Sequence, residues 1–208
     1  MSTDATTRLY LIRHGEVDPA WRGRIYGGLE VELSEFGRRE AFASAACLAG
    51  LPLDGVLTST LSRAQFTAQL LAEPRGLEPR DHVGLVELDR GDWAGLTFDE
   101  LESRDPGAHE RWLAAPDRER PTNGESLADL AERVRAALQE SIRPDVDRTL
   151  AVTAHGWVVR VLLCEALGLP LSRAEDLRMR TASIHAIEWR DGRPSRLLGL
   201  DLDGPLAP

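Results

Sequence analysis

A chain of 208 residues, 42% hydrophobic and 28% charged, is long enough for one substantial core and has an ordinary globular balance. Its formal charge of −9 argues against a nucleic-acid or anionic-membrane partner, and it means any anion site must be a local gathering of cations. No apolar run approaches the roughly 20 residues that cross a bilayer, and Met1 to Thr7 lacks the basic start and apolar core of a signal peptide. Cys47 and Cys164 fall in helical apolar patterns and read as buried free thiols, so the expected compartment is the cytoplasm.

In chain order, Leu9 to Ile12 reads as a strand buried on both faces, as in a parallel sheet, and it ends abruptly in Arg13-His14-Gly15. Val17 to Leu33 has no sustained period and is a long loop. Ser34 can cap a helix through about Ala49, stopped by Gly50 and Pro52. Gly55 to Ser59 predicts a second strand and Thr60 to Ala72 a helix directly after it. Val83 to Glu87 reads as a short strand. Leu88 to Pro121 is rich in Gly, Pro and charge, with two short helices near Asp99 and Ala108. Gly124-Glu125-Ser126 opens a helix with Leu127, Leu130, Val134 and Leu138 at helical spacing, and Ser126 with Asp129 has capping-box spacing. Thr149 to Ala154 is another buried strand, again running into a histidine and a glycine, His155-Gly156. The helix after it turns Val158, Val161, Leu162 and Leu167 inward and stops at Gly168 and Pro170. Ile184 to Trp189 and Arg196 to Leu200 alternate like strands about a turn at Asp191-Gly192. This order predicts one domain over 1–208, an α/β fold built as a three-layer α/β/α sandwich with a mostly parallel central sheet. Residues 1–7 and 201–208 are expected to fray.

Ligands of open α/β sheets bind beyond the strand C-termini, where Arg13, His14 and His155 would meet. A cation, imidazoles and the bare amide of Gly15 suit a phosphate better than a metal. Arg63, in the first turn of a helix that follows a strand, adds a planar cation where free amides already favour an anion. Glu87 is either an ion-pair partner of these arginines or a general acid for a leaving oxygen. Arg22, Arg24 and Tyr26 in the long loop are candidate substrate contacts against a solvated-loop alternative. Ser59 either touches the phosphate or caps a helix. Trp93, Trp112 and Trp157 could line the pocket or the core. His82, His109 and His185 have no metal-ligand spacing, so neither a metal nor another cofactor is expected.

Leu11-Ile12-Arg13-His14-Gly15-Glu16 resembles the "LxRHGE" signature of the histidine phosphatase superfamily, the phosphoglycerate-mutase-like proteins. Ser59 to Ala68 ("S-x-L-x-R-A-x-x-T-A"), Glu87 to Gly95 ("E-x-x-x-G-x-W-x-G"), Gly124-Glu125-Ser126 and Ala154-His155-Gly156 are similar in order and spacing. Together these segments span about residues 8 to 165. The resemblance implies His14 as nucleophile, Arg13, Arg63 and His155 as the phosphate pocket, and Glu87 as proton donor. Two departures stand out: Asp18-Pro19-Ala20-Trp21 lies where the family often has Asn, and Glu32 where proline is frequent. The implied activity is hydrolysis of a small phosphomonoester, releasing inorganic phosphate. A cofactor-dependent phosphoglycerate mutase is the runner-up, and a non-catalytic phospho-ligand-binding module the rival from another class. Hydrolysis is preferred because the stretch after Glu87 is similar to the phosphatase branch, with Asp89 and Asp92 beside a single arginine. Sugar phosphates, phosphoglycerates, nucleotides and α-ribazole phosphate fit these residues equally, and no oligomeric state is implied.

Overall fold

The computed structural model describes residues 5–202. Among them, Thr7–Arg13 (β1), Gly55–Thr58 (β2), Arg80–Asp81 (β3), Arg148–Ala154 (β4), Ile184–Arg190 (β5) and Arg193–Gly199 (β6) form one sheet in the order β3-β2-β4-β1-β5-β6. The pairs β3/β2, β2/β4 and β4/β1 are parallel, while β1/β5 and β5/β6 are antiparallel. The mostly parallel sandwich read from the sequence is therefore observed. The α-helices are Glu35–Cys47 (α1), Ser62–Ala72 (α2), Phe98–Arg104 (α3), Ala108–Ala114 (α4), Leu127–Ser141 (α5) and Gly156–Leu167 (α6).

Strand alternation assigns the layers. Leu9 and Leu11 of β1, with Leu150 and Val152 of β4, join Leu130, Val134, Val158 and Leu162 of α5 and α6 in the larger core. Ile12, Val56, Ala151 and Ile184 face the other way, against Leu48, Ala68 and Leu71 around α1 and α2. Successive strand residues point to opposite faces, so continuous apolar runs are what a sheet covered on both sides requires. Ser34 caps α1 by accepting from Gly37 N at 2.9 Å. The Ser126–Asp129 capping box opens α5 as its spacing predicts.

Several boundaries differ from the sequence reading. The strand expected over Val83–Glu87 lies earlier, at Arg80–Asp81, and Val83–Leu85 is a single 3-10 turn. Gly84 N donates to His82 Nδ1 at 2.9 Å, so a local side-chain bond diverts the backbone from the sheet. The helix expected from Thr60 begins at Ser62, and β6 begins at Arg193. Asp191 and Gly192 both have positive φ, 52° and 76°, so a tight hairpin carries the strand closer to the turn. Cys47 is exposed, because it ends α1 on the side away from the sheet, whereas Cys164 is buried as expected. Burial pushes the Cys164 thiol up to about 11. Leu167 is exposed at the end of α6, where Gly168 turns the chain left-handed. Fraying does not reach Thr7, which pairs with Arg148, or Leu202, whose amide donates to Ile184 O at 2.8 Å. Residues 1–4 and 203–208 of the expected frayed tails lie outside the described residues. Among the described residues no helix is long and apolar enough to cross a membrane.

Candidate active site

Three adjacent parallel strands end together and deliver three side chains to one place. The register pairs Arg13 of β1 with Ala154 of β4, and Thr58 of β2 with Thr153. The next residues in each chain are His14, His155 and Ser59. His14 N still bonds Ala154 O at 3.0 Å and Ser59 N bonds Thr153 O at 3.1 Å, so the ladder carries these residues just past the sheet edge. The two imidazole centroids are 5.2 Å apart with planes at 61°. Adjacency of β1 and β4, distant in sequence, is what turns two separate His-Gly motifs into one site.

His14 Nδ1 lies 2.7 Å from Gly15 O. A carbonyl can only accept, so Nδ1 carries the proton and Nε2 keeps its lone pair. Burial, then the charges of Arg13 and Arg63, hold His14 well below the ordinary imidazole value, so the ring is neutral at neutral pH. Burial and the neighbouring His14, Arg63 and Arg13 do the same to His155. His155 Nε2 meets Ser59 Oγ at 2.8 Å, and Ser59 Oγ also accepts from Leu61 N at 3.3 Å. Ser59 thus orients the second histidine and bonds the Leu61 amide just before α2, a helix without a side-chain cap.

Arg63 is fully buried, its Nη1 and Nη2 donating to Leu29 O at 2.6 Å and Gly27 O at 2.7 Å. Arg13 Nη1 donates to Met179 O at 2.5 Å. Each guanidinium is thereby fixed by backbone carbonyls, yet the Nε of both remains buried with no partner, as does His155 Nδ1. A buried donor left unmet costs about 1–3 kcal/mol, and here three gather around one imidazole.

Glu87 is buried over the start of α6. It accepts from Leu88 N at 2.8 Å and from Trp157 N at 3.2 and 3.3 Å. Its segment is braced from α5. Arg133 forks onto Glu125 (2.8 and 2.7 Å) and donates to Gly84 O and Val86 O, both at 3.0 Å. Glu125 Oε2 in turn accepts from Asp89 N at 3.1 Å. The Gly-Glu-Ser motif therefore positions the glutamate loop as well as starting a helix. Gly91, at φ +46°, lets that loop lie against Thr122, whose carbonyl a Cβ would meet at 2.1 Å.

A cavity of about 180 Å³ opens beside this cluster, lined among others by Arg13, Tyr26, Glu87, Trp93 and Trp157. Of the loop candidates, Tyr26 lies under Arg63 at 5.4 Å and Arg24 reaches the rim, anchored on Gly95 O at 2.9 Å. Arg22 is not brought in; it is exposed and pairs with Glu16 at 3.9 Å. Gly15 has a packing reason for lacking a side chain, since a Cβ would fall 2.2 Å from Gly37 O. Trp112 is buried in the core, with its ring against Trp157.

Two charged cavity residues were not among the candidates read from the sequence: Arg90 and Arg160. Asp89 and Asp92, counted there as the local charge, turn outward onto Gly91 N and Asn123. The single arginine beside these two acids faces inward, into the cavity. Arg160 did carry a signal, as it sits four residues after Gly156 on one helical face and is, with Glu165, one of two charged residues in a mostly apolar helix. His109 also lines the cavity. Among the described residues no group of His, Cys, Asp or Glu is arranged to hold a metal ion.

Residues 9–200 match the model of the histidine phosphatase superfamily, branch 1. Phosphoserine phosphatase 1 of Hydrogenobacter thermophilus is 32% identical over 186 residues, 89% of this chain and 88% of that protein. Glucosyl-3-phosphoglycerate phosphatase of Mycobacterium tuberculosis is 35% identical over 173 residues, 79% of this chain and 77% of its own length. A solved structure of the mycobacterial glucosyl-3-phosphoglycerate phosphatase with inorganic phosphate superposes with a TM-score of 0.81 at 33% identity, covering 93% of this chain and 96% of that one. By this match and by the strand-end cluster it spans, the chain belongs to branch 1 of the histidine phosphatase superfamily.

Proposed function

We propose that this protein is a cytoplasmic phosphomonoester hydrolase that acts on a small phosphorylated metabolite through a phosphohistidine at His14. The observation that carries the reading is the trio of orphaned buried donors, Arg13 Nε, Arg63 Nε and His155 Nδ1, around an imidazole that presents its Nε2 lone pair. Three fixed donors suit the three equatorial oxygens of a phosphoryl group in transfer, whose catalysis is mostly positioning and charge stabilisation. Ser59 donating to His155 Nε2 leaves the proton on Nδ1, where a phosphate oxygen can accept it.

In the first step His14 Nε2 bonds to phosphorus as the ester P–O bond breaks, and Glu87 gives its proton to the departing alkoxide. In the second, Glu87 takes a proton from water, whose oxygen bonds to phosphorus as the P–N bond breaks. Phosphate leaves and His14 returns to its neutral form. The names of the relatives support hydrolysis over isomerisation as the outcome. A screen of phosphomonoesters for phosphate release tests the reading. With 3-phosphoglycerate and 2,3-bisphosphoglycerate together, hydrolysis should outrun formation of 2-phosphoglycerate; the reverse order would make the protein a mutase.

A further inference from the structure

Arg90 and Arg160 are the cavity's unexplained charges. Arg90 lies over Trp112 at 4.4 Å and over Trp157 at 5.4 Å, and Arg160 over Trp157 at 4.7 Å. The Arg160 Nε donates to Leu177 O at 3.0 Å, which leaves its two Nη groups without an acceptor among the described residues. Arg90 makes no side-chain hydrogen bond among them, and neither arginine has a carboxylate within ion-pair distance. In a chain with 34 acidic and 25 basic residues, carboxylate partners are plentiful. Exposed arginines such as Arg111, Arg143 and Arg180 each have one. Indole faces hold these two guanidinium groups in place, and the carboxylates of Glu87 and Glu175 act on both only from beyond ion-pair distance.

Their position relative to the phosphoryl pocket is set by Gly156. A Cβ there would stand 3.2 Å from Arg160 Nη1 and 3.6 Å from Arg13 Nε, so the free end of Arg160 and the orphaned nitrogen of Arg13 flank the same bare Cα. Burial and then Arg160 lower the proton affinity of Arg90, burial and then Arg13 lower that of Arg160, and Glu87 and Glu175 oppose them at both. Arg90 is pushed down to about 10, chiefly by burial, and remains a cation at neutral pH. A small cavity lined by two guanidinium groups that no carboxylate bonds directly favours an anionic ligand.

We propose that Arg90 and Arg160 form a subsite for a second anionic group of the substrate, a carboxylate or a further phosphate, next to the phosphoryl pocket. The substrate class, resting on the phosphatase reading above, is then a phosphomonoester with another anion a few bonds from the ester oxygen. A planar guanidinium fork recognises either anion through charge-assisted bonds. Arg24 is outside this subsite, since its Nη1 is already committed to Gly95 O.

Calorimetric binding to His14→Ala, which holds ligands without turning them over, tests the subsite apart from catalysis. The carboxylate arm compares 3-phosphoglycerate with glycerol 3-phosphate, and the phosphate arm compares fructose 1,6-bisphosphate with fructose 6-phosphate. In at least one arm the member with the second anionic group should bind about tenfold tighter or more, the effect of one good charge-assisted contact. Arg90→Gln, which leaves no protein acceptor unmet, should shrink that gap to within about threefold, and so should Arg160→Gln. The same ratios read as kcat/KM in the chain with His14 intact keep the test independent of the His14 variant. No gap in either arm, or a gap that survives both arginine substitutions, overturns the subsite. An intact gap without phosphate release from any ester would instead overturn the phosphatase reading and leave the subsite standing.

Discussion

Arg133 should be worth more to this enzyme than an ion pair ordinarily is, because it positions Glu87 without touching the site. Its side chain and that of Glu125 are 26% and 21% exposed, so the pair is only partly screened. Arg133→Met removes two bonds to the carboxylate and two to the carbonyls of Gly84 and Val86. An exposed ion pair contributes up to about 1 kcal/mol, and each carbonyl stripped of a charged donor costs about 1–2 kcal/mol. Allowing for water reaching the freed groups, the total loss is about 2–4 kcal/mol. For a chain of this size that lowers Tm by roughly 5–15 °C. The Glu87 segment also loses its anchor to α5, and misplacing a catalytic group by about 1 Å can cost on the order of a hundredfold. Thermal melts with kcat and inorganic phosphate binding, measured side by side, should show a lower Tm and a fall in kcat of about tenfold or more, with phosphate affinity changed less. A Tm within about 2 °C and a kcat within about twofold of the parent would refute the bracing argument.

Acid should destabilise the fold. Burial holds His14, His155 and His185 neutral in the native state, whereas the unfolded chain binds protons at about pH 6.5. Stability from these groups is full above that pH and falls as pH drops toward the lowered native values, by up to about 1.4 kcal/mol per pH unit per imidazole. Urea melts at pH 7.5 and 5.5 check this, and equal midpoints would contradict it. Glu87→Gln keeps the shape but cannot exchange the proton, so kcat should fall about a hundredfold or more while inorganic phosphate affinity changes far less. Collapse of phosphate affinity with kcat preserved would make Glu87 an ion-pair partner only.

The central part of the site was legible because its residues sit in short local motifs at strand ends. Buried runs stopping at His14-Gly15 and His155-Gly156 marked both strand C-termini, and helical spacing placed Arg63 in a first turn. What the sequence hid depends on how distant segments meet. Arg90 and Asp89 are neighbours in the chain, yet only the packing of the Glu87 loop against Thr122 and α6 decides that the arginine faces in. Arg133 lies on a helix with no motif of its own, and its use appears only where α5 crosses residues 84–86. Arg22 shows the converse: a basic residue in a long loop beside the site that stays exposed and lines a neighbouring cleft instead. The Val83–Glu87 misreading came from apolar composition overridden by one histidine–amide bond.

The most direct test of the account is to trap the covalent intermediate. Rapid acid-free quenching during turnover of a labelled phosphomonoester, followed by peptide mapping, should find phosphate on His14 in a base-stable, acid-labile linkage. His14→Ala should lose both the label and turnover. Label on another residue, or near-normal turnover in His14→Ala, would contradict a phosphohistidine mechanism at this site.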